Sequence, residues 1–279
     1  MAKNVIDTLD SYGSQNHGTF GQTIAIRRDS PNSDLDDLFG YSASDVETKS
    51  EVEVVGSNVL SDALNEFDEL LDWYDGLDVI DSNIILSPPL IQTFIEISKK
   101  YSHRGSFITT APRYLNTLIQ NSYDAGHNDF KFEDDDFCNG LLSSVKGKED
   151  NPLTATLVGR FTNVGFCSSY FNIFLKGNLG FSFTYANNVN LTMRGDILQG
   201  FASKSKDVIT AIDGDVGTEI GRDSTNFEIY ASGIIDDVFD ENDVMFQWKN
   251  ARNHQKYISM MQEFDRRMKE WVIKIIPQI

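Results

Sequence analysis

Charged residues recur at a nearly fixed interval through the second half of this 279-residue chain. Lys176, Arg194 and Asp213 are separated by 18 and 19 residues, and Asp196 and Asp215 by 19. Paired carboxylates held on one face of a protein can act as the acid and the base of a glycosidase. The alternative is a ladder of alternating charges, which neutralise one another and keep a surface soluble. The alternation of sign favours the ladder.

The glycine-rich stretch IDGDVGTEIGRDSTNFEIYASG, residues 212–233, raises a second possibility, a phosphate-binding loop. Such a loop would match G-x-G-x-x-G or G-x-x-x-x-G-K-[ST] between a strand and a helix. Neither pattern fits, and no helical pattern follows Gly221. We therefore interpret these glycines as corners of a repeat and expect no nucleotide cofactor.

Metal and nucleophile chemistry find little support in the sequence. Zinc sites need clustered cysteine and histidine, and the two cysteines, Cys138 and Cys167, lie far apart. The acidic run DFKFEDDDF, residues 129–137, lacks the D-x-D-x-D-G spacing of a calcium loop, so we expect a solvated turn there. We predict no metal, no cofactor and no catalytic residue. The histidines, none at ligand spacing from another, are His17, His103, His127 and His254.

The elements that must position these residues follow from self-similarity along the chain. Five glycines, spaced by 18, 18, 19 and 19 residues, align five copies, and Gly140 lies where a degenerate sixth copy could begin. The positions six, four and two before each glycine, and two and six after it, are nearly all apolar. Cys138 falls in an inward column and is predicted to fill the core. The repeat glycines are Gly159, Gly177, Gly195, Gly214 and Gly233, with Gly217 as a second glycine in its copy.

Such alternation over about nine residues predicts one strand per copy, and stacking of parallel strands would bury the inner face. The predicted fold is mainly β: a right-handed parallel β-helix, or β-solenoid, of about five to six coils of 18–19 residues, flanked by N-terminal and C-terminal α-helices. A left-handed hexapeptide helix would need three short flat sides, whereas one long alternating side is seen here. Asn188, Asp207 and Asn226, seven before their glycines, suit left-handed turns.

Four regions follow along the chain. Residues 1–56 are predicted to be a polar, partly disordered acidic arm, and residues 57–130 a helical region that caps the solenoid. Residues 131–240 form the repeats, and residues 241–279 an amphipathic C-terminal helix that could cap the last coil. Apolar residues spaced three and four apart predict the helices. Phe174 and Tyr230 point outward and would pack under these flanking elements or bind a partner.

The composition limits the class of partner. The net charge of −18 repels nucleic acid and anionic lipid, so neither is expected to bind. The chain has no apolar run long enough to span a membrane and no signal-peptide pattern. We expect a cytoplasmic protein that binds a protein partner or a second copy of itself.

A family resemblance rests on the glycine-rich copies. GDVGTEIGRDSTNFEIYASG (214–233), GNLGFSF (177–183) and GDILQGF (195–201) resemble the glycine-x-glycine-x-glycine repeat of a β-helix family. The C-terminal domain of glutamate synthase and the C subunit of formylmethanofuran dehydrogenase carry that repeat. The resemblance covers about 100 residues, and Leu198 and Asp236 replace the second glycine in two copies. It implies a structural spacer and supplies no catalytic residue.

Three functions stay open at this point. The first is a non-catalytic assembly protein, which we favour. The second is a β-helix enzyme or carbohydrate-binding protein acting on a polysaccharide, and the third is a regulatory module that uses the acidic arm. The weak candidate binding face comprises Arg160, Lys176, Arg194, Asp196, Asp213, Asp215, Phe174 and Tyr230.

Overall fold

The computed structural model describes residues 58–72, 80–135, 139–236, 246–249 and 251–275. The chain divides into two compact units, residues 1–73 with 279, and residues 74–278. The predictions for the arm at 1–56, for His17 and for Cys138 lie outside the described residues. In the described part, no helix is both long enough and apolar enough to cross a bilayer.

Helix α1, residues 58–72, is the described element of the first unit. Its apolar residues recur three and four positions apart, as the sequence predicted, which places them on one face of a helix. That face is buried along its whole length, and it comprises Leu60, Ala63, Leu64, Phe67, Leu70 and Leu71.

A parallel β-solenoid forms the second unit, which confirms the central prediction. Its strands are β1 (Asp129–Asp135), β2 (Leu153–Arg160), β3 (Ser169–Lys176), β4 (Asn187–Arg194), β5 (Ile197–Gln199), β6 (Lys206–Asp213), β7 (Val216–Thr218), β8 (Thr225–Ala231) and β9 (Phe246–Lys249). Seven strands form one long sheet in the order β1-β2-β3-β4-β6-β8-β9, and β5 pairs with β7 in a second, short sheet. All of these pairings are parallel.

The solenoid completes four regular turns, fewer than the five to six coils predicted. Thr154 pairs with Asn172, Asn172 with Asn190, Asn190 with Ile209 and Ile209 with Glu228, so successive turns advance by 18, 18, 19 and 19 residues. The chain on either side departs from this repeat. β1 joins β2 with a step of 25 residues, from Asp129 to Thr154, and β9 follows β8 as an additional strand that the sequence analysis did not predict.

Two predictions about the first turn were wrong. Gly140 does not begin a copy, because the position that pairs with Gly159 is held by Asp134 of β1. The acidic run that starts at Asp129 forms the first strand of the long sheet and not a solvated turn. The inward positions of that strand are taken by Phe130 and Phe132, whose side chains are buried and stacked on each other. An irregular turn therefore carries regular core residues.

Each inward column of the repeat is buried. The column two before the glycine illustrates this, because every side chain in it is inaccessible to solvent. Stacking removes each such side chain from water and contributes about 1.5–3 kcal/mol for a large aliphatic residue. Phenylalanines stack in the same way at the second corner, where the rings of Phe183 and Phe201 lie 5.7 Å apart. The illustrated column comprises Leu157, Leu175, Met193, Ile212 and Ala231.

The glycine column is needed because consecutive coils approach closely there. A Cβ on Gly177 would lie 1.7 Å from the carbonyl oxygen of Gly159, and one on Gly195 would lie 2.0 Å from that of Gly177. Gly177 and Gly195 also have φ angles of 142° and 131°, which side-chain-bearing residues rarely adopt. Both requirements recur from coil to coil and explain why the sequence repeats glycine at this position.

Three side-chain amides and a tyrosine bind the backbone of the irregular first turn. They come from α2 (Pro88–Ser98) and α3 (Phe107–Asp124). Gln120 accepts from the N–H of Lys146 at 2.8 Å and donates to its carbonyl oxygen at 3.3 Å. Gln92 pairs in the same way with both backbone groups of Glu133. These bonds satisfy donors and acceptors at an end of the solenoid that would otherwise be an open edge.

The C-terminal helix α4 (Gln255–Ile275) does not cover the last coil, as was predicted. It crosses the outer face of the long sheet, from Glu228 of β8, bound by Lys256, to Asp129 of β1, bound by Arg267. Those two helix residues are about 16 Å apart along the axis, and the sheet between β8 and β1 is about 24 Å wide. The long side chains of lysine and arginine span the remainder, so α4 ties all the regular coils together.

Candidate functional site

The charged residues before the glycines form one row on the outer face of the long sheet. Lys176 pairs with Arg194 and Arg194 with Asp213 in the strand register, so their side chains lie on successive coils. This is the stacking that the sequence interval predicted. A row of two cations and one carboxylate places no second carboxylate beside Asp213, which a pair of acid and base would require.

Arg194 is bound on two sides. Its Nε lies 3.4 Å from Oδ2 of Asp213 on the next coil, and its guanidinium lies 2.9 Å from Oδ1 of Asp265 on α4. The guanidinium also lies over the ring of Phe264, 5.4 Å from the ring centroid. Cation–π contact and two carboxylates hold this arginine between the sheet and the helix.

Asp213 is likewise held by neighbours. It accepts a hydrogen bond from the hydroxyl of Ser232 on the following coil at 2.9 Å, and Arg252 lies 3.6 Å from it. With Arg194, these contacts surround the carboxylate with donors. Asp213 therefore joins coils and helix, and this arrangement favours a structural role over that of a general base.

The carboxylates after the glycines form a second row with a different task. Oδ1 of Asn178 accepts from the backbone N–H of Asp196 at 3.0 Å. Oδ1 of Asp196 accepts from the N–H of Asp215 at 2.9 Å, and Oδ1 of Asp215 from the N–H of Ile234 at 2.8 Å. Each side chain thus satisfies a backbone donor one coil further on. We call this row the Asx ladder; it carries Asp196 and Asp215 of the predicted binding face.

Phe174 and Tyr230, the outward aromatic candidates, lie beneath α4. They are 8% and 4% exposed and pack in one cluster with Tyr257, Met261 and Phe264 of the helix. The guanidinium of Arg267 lies over the ring of Phe174, 4.6 Å from its centroid. The sequence analysis left packing and partner binding open for these residues; the chain's own C-terminal helix covers both.

A small polar cluster closes the end of the same seam. Glu228 accepts a hydrogen bond from Lys256 at 2.5 Å and one from the hydroxyl of Tyr230 at 2.9 Å. Burial raises the pKa of Glu228, but the two hydrogen bonds and the charge of Lys256 outweigh it and hold that pKa below its ordinary value. Burial and the bond to Glu228 raise the pKa of Tyr230 to about 12.

The remaining candidates are not drawn into a site. Arg160 ends β2 and Lys176 ends β3, and both are exposed. Cys167 is an exposed free thiol. Among the residues that the structure describes, no three His, Cys, Asp or Glu side chains come together as a metal site would need. The eight predicted residues are therefore divided between two structural rows and a buried seam.

Sequence reasoning missed the exposed apolar residues on the sides of the solenoid that α4 leaves uncovered. Phe166 and Tyr185 are each 45% exposed, and their rings meet edge to face at 5.7 Å. Lys204 lies over the ring of Tyr185 and donates to its hydroxyl at 3.2 Å. Phe181, Leu198 and Ile234 are exposed beside the short sheet. Their apolar type at outward positions of the repeat was the available signal.

Comparison with known proteins leaves the chain without a relative. No protein-family model, no curated protein and no solved structure matches it.

Proposed function

We propose that this protein is a non-catalytic β-solenoid scaffold, which assembles with a larger enzyme complex or with copies of itself. The observation that carries the proposal is the use made of the charged rows. Asp196, Asp213 and Asp215 all bind backbone or side-chain donors of neighbouring coils, and Arg194 joins the sheet to α4. Side chains committed to internal bonds stabilise a rigid rod, and a rigid rod is suited to holding partners apart.

The finer features of the proposal come from the sequence. We propose a right-handed solenoid, because one side of each coil is long and alternates, and a cytoplasmic location. The resemblance of its copies to the glycine-x-glycine-x-glycine repeat supports a spacer role like that of the β-helix of glutamate synthase. The net charge of −18 argues against nucleic acid as the partner.

Native mass tests the proposal. The chain has a mass of 31.4 kDa, and sedimentation of the protein from its native source should show a particle several times heavier. The opposing result is a particle of one chain that cleaves a polysaccharide, with cleavage lost in a D213N variant. That pair of observations would assign catalysis to the row and overturn the scaffold.

One observation favours carbohydrate binding as a second candidate. The exposed, contacting rings of Phe166 and Tyr185 offer apolar surface beside a lysine, which a sugar ring can use for stacking and hydrogen bonding. Affinity electrophoresis in gels that contain a defined polysaccharide tests it. Retardation that disappears in Y185A, with H127A as a control at an exposed position, would support this candidate.

A further inference from the structure

The short sheet carries a surface that the internal bonds leave open. We call it the short-strand face and define it by residues 178–182, 196–200, 215–219 and 234–236. Phe181, Leu198 and Ile234 are 47%, 45% and 65% exposed there. Ile234 follows Asp215 on the Asx ladder, and Leu198 lies in the middle of β5. Large apolar side chains gathered on one side of a rod mark an interaction surface.

Glycines keep this face flat. A Cβ on Gly217 would lie 1.9 Å from the carbonyl oxygen of Leu198, and the ring of Phe181 occupies the space where a Cβ of Gly200 would stand. Leu198 therefore has a neighbour without a side chain on the following coil. A flat surface with separate apolar side chains admits an extended or helical polypeptide segment without a deep groove.

The charge of the short-strand face has one sign. Its residues include Asp196, Asp215, Glu219 and Asp236 and no lysine or arginine. Asp215 and Asp236 are exposed, and Asp196 and Glu219 are half-buried. In the Asx ladder, Asp196 and Asp215 each use one carboxylate oxygen for a backbone N–H, so the negative charge and the second oxygen of each remain for a cation.

We infer that the short-strand face binds a basic polypeptide segment of a separate protein, one that alternates cationic and apolar side chains. The inference rests on the proposed scaffold function and names its partner class. Charge complementarity selects the occupant, because a second copy of this chain brings a net charge of −18 and would be repelled. Apolar contact with Phe181, Leu198 and Ile234 would then supply affinity, and the carboxylates would supply orientation.

The test uses the full chain and labelled peptides of defined sequence. A peptide alternating lysine and leucine should bind by fluorescence anisotropy, and peptides alternating lysine with serine or glutamate with leucine should bind much more weakly. The D196N/D215N variant removes two charges and keeps the amide oxygen that accepts the N–H, as Asn178 does naturally. We expect it to weaken binding of the lysine–leucine peptide about tenfold.

The matched control is E149Q/D150N, which changes the net charge equally at two exposed residues of a loop. It should bind the lysine–leucine peptide as the unaltered chain does. Equal weakening in both variants would show attraction by net charge and overturn the inference, as would equal binding of the serine peptide. A second variant, F181S/L198S/I234S, should lose binding while its urea midpoint shows that it remains folded.

The scaffold and its partner class fail separately. If the native particle is several times heavier than one chain in both the unaltered protein and D196N/D215N, the scaffold stands and the short-strand face is not its interface. If the native particle of the unaltered protein is a single chain, the scaffold fails whatever the peptides do. Loss of the heavy particle in D196N/D215N alone supports both.

Discussion

The backbone N–H of Asp215 donates to Oδ1 of Asp196, which lies one coil earlier, over a distance of 2.9 Å. The same bond joins Asp196 to Asn178 and Ile234 to Asp215, so a single column of Asn and Asp side chains runs up three coils. Two carboxylates that the sequence presents as candidates for chemistry are thus part of the backbone hydrogen bonding just after the glycine corner. The candidate site and the fold share these residues.

Replacement of Asp196 distinguishes its oxygen from its charge. D196A leaves the N–H of Asp215 without its protein acceptor and should lower the free energy of unfolding by about 0.5–1.5 kcal/mol. D196N keeps an acceptor oxygen and should remain close to the unaltered protein. Urea unfolding of the two variants measures the difference. Equal destabilisation by alanine and asparagine would show that charge, and not the ladder, is what matters at this position.

A methyl group in the glycine column should be poorly tolerated. In G195A the new Cβ would meet the carbonyl oxygen of Gly177, and the residue would keep a φ of 131°. We expect a loss of stability above about 3 kcal/mol or failure to fold. Gly105 supplies the control, because a Cβ there has nothing within 4 Å. Thermal unfolding that showed G195A and G105A equally stable would contradict the close approach of the coils.

Phe264 should be the main apolar contact that holds α4 on the sheet. Its side chain is 1% exposed and packs in the cluster with Phe174 and Tyr230. F264A should reduce stability by about 3 kcal/mol and speed hydrogen exchange of the α4 amides. Q262A, at an exposed position of the same helix, should change neither. Unchanged exchange in F264A would mean that the ion pairs alone retain the helix.

Stability should fall in acid through Glu228. Its pKa is lower in the folded protein than in the unfolded chain, so its contribution is complete above the ordinary glutamate value of about 4.3. The contribution is lost as the pH falls through the lowered pKa of the folded state. The E228Q variant should therefore show a flatter decline of the urea midpoint below about pH 5 than the unaltered protein. Parallel declines would remove Glu228 from the account.

The solenoid could be predicted because its core and its corners leave a periodic trace. Inward residues such as Leu175 must be apolar, and Gly177 must lack a Cβ because the next coil passes within contact distance of it. Asn188, Asp207 and Asn226 were expected in left-handed turns, and their φ angles of 54°, 55° and 55° agree. Tyr170 adopts the same conformation with φ 59°, although nothing in its residue type indicates this.

The placement of α4 and the roles of the charged rows could not be predicted. An amphipathic stripe shows that a helix buries one face, but not which surface covers it. Phe174 and Tyr230 were the one visible sign that the outer face of the sheet is covered. The alignment at Gly140 failed because the step from β1 to β2 is 25 residues long and has no glycine at the equivalent position. Residue type alone also does not show that Asp215 accepts a backbone N–H.

The native mass of the assembled protein tests the central claim most directly. Sedimentation or light scattering of material from the native source should give a particle several times heavier than the 31.4 kDa chain, and D196N/D215N should return it toward that value. A homogeneous particle of one chain in the unaltered protein would contradict the scaffold.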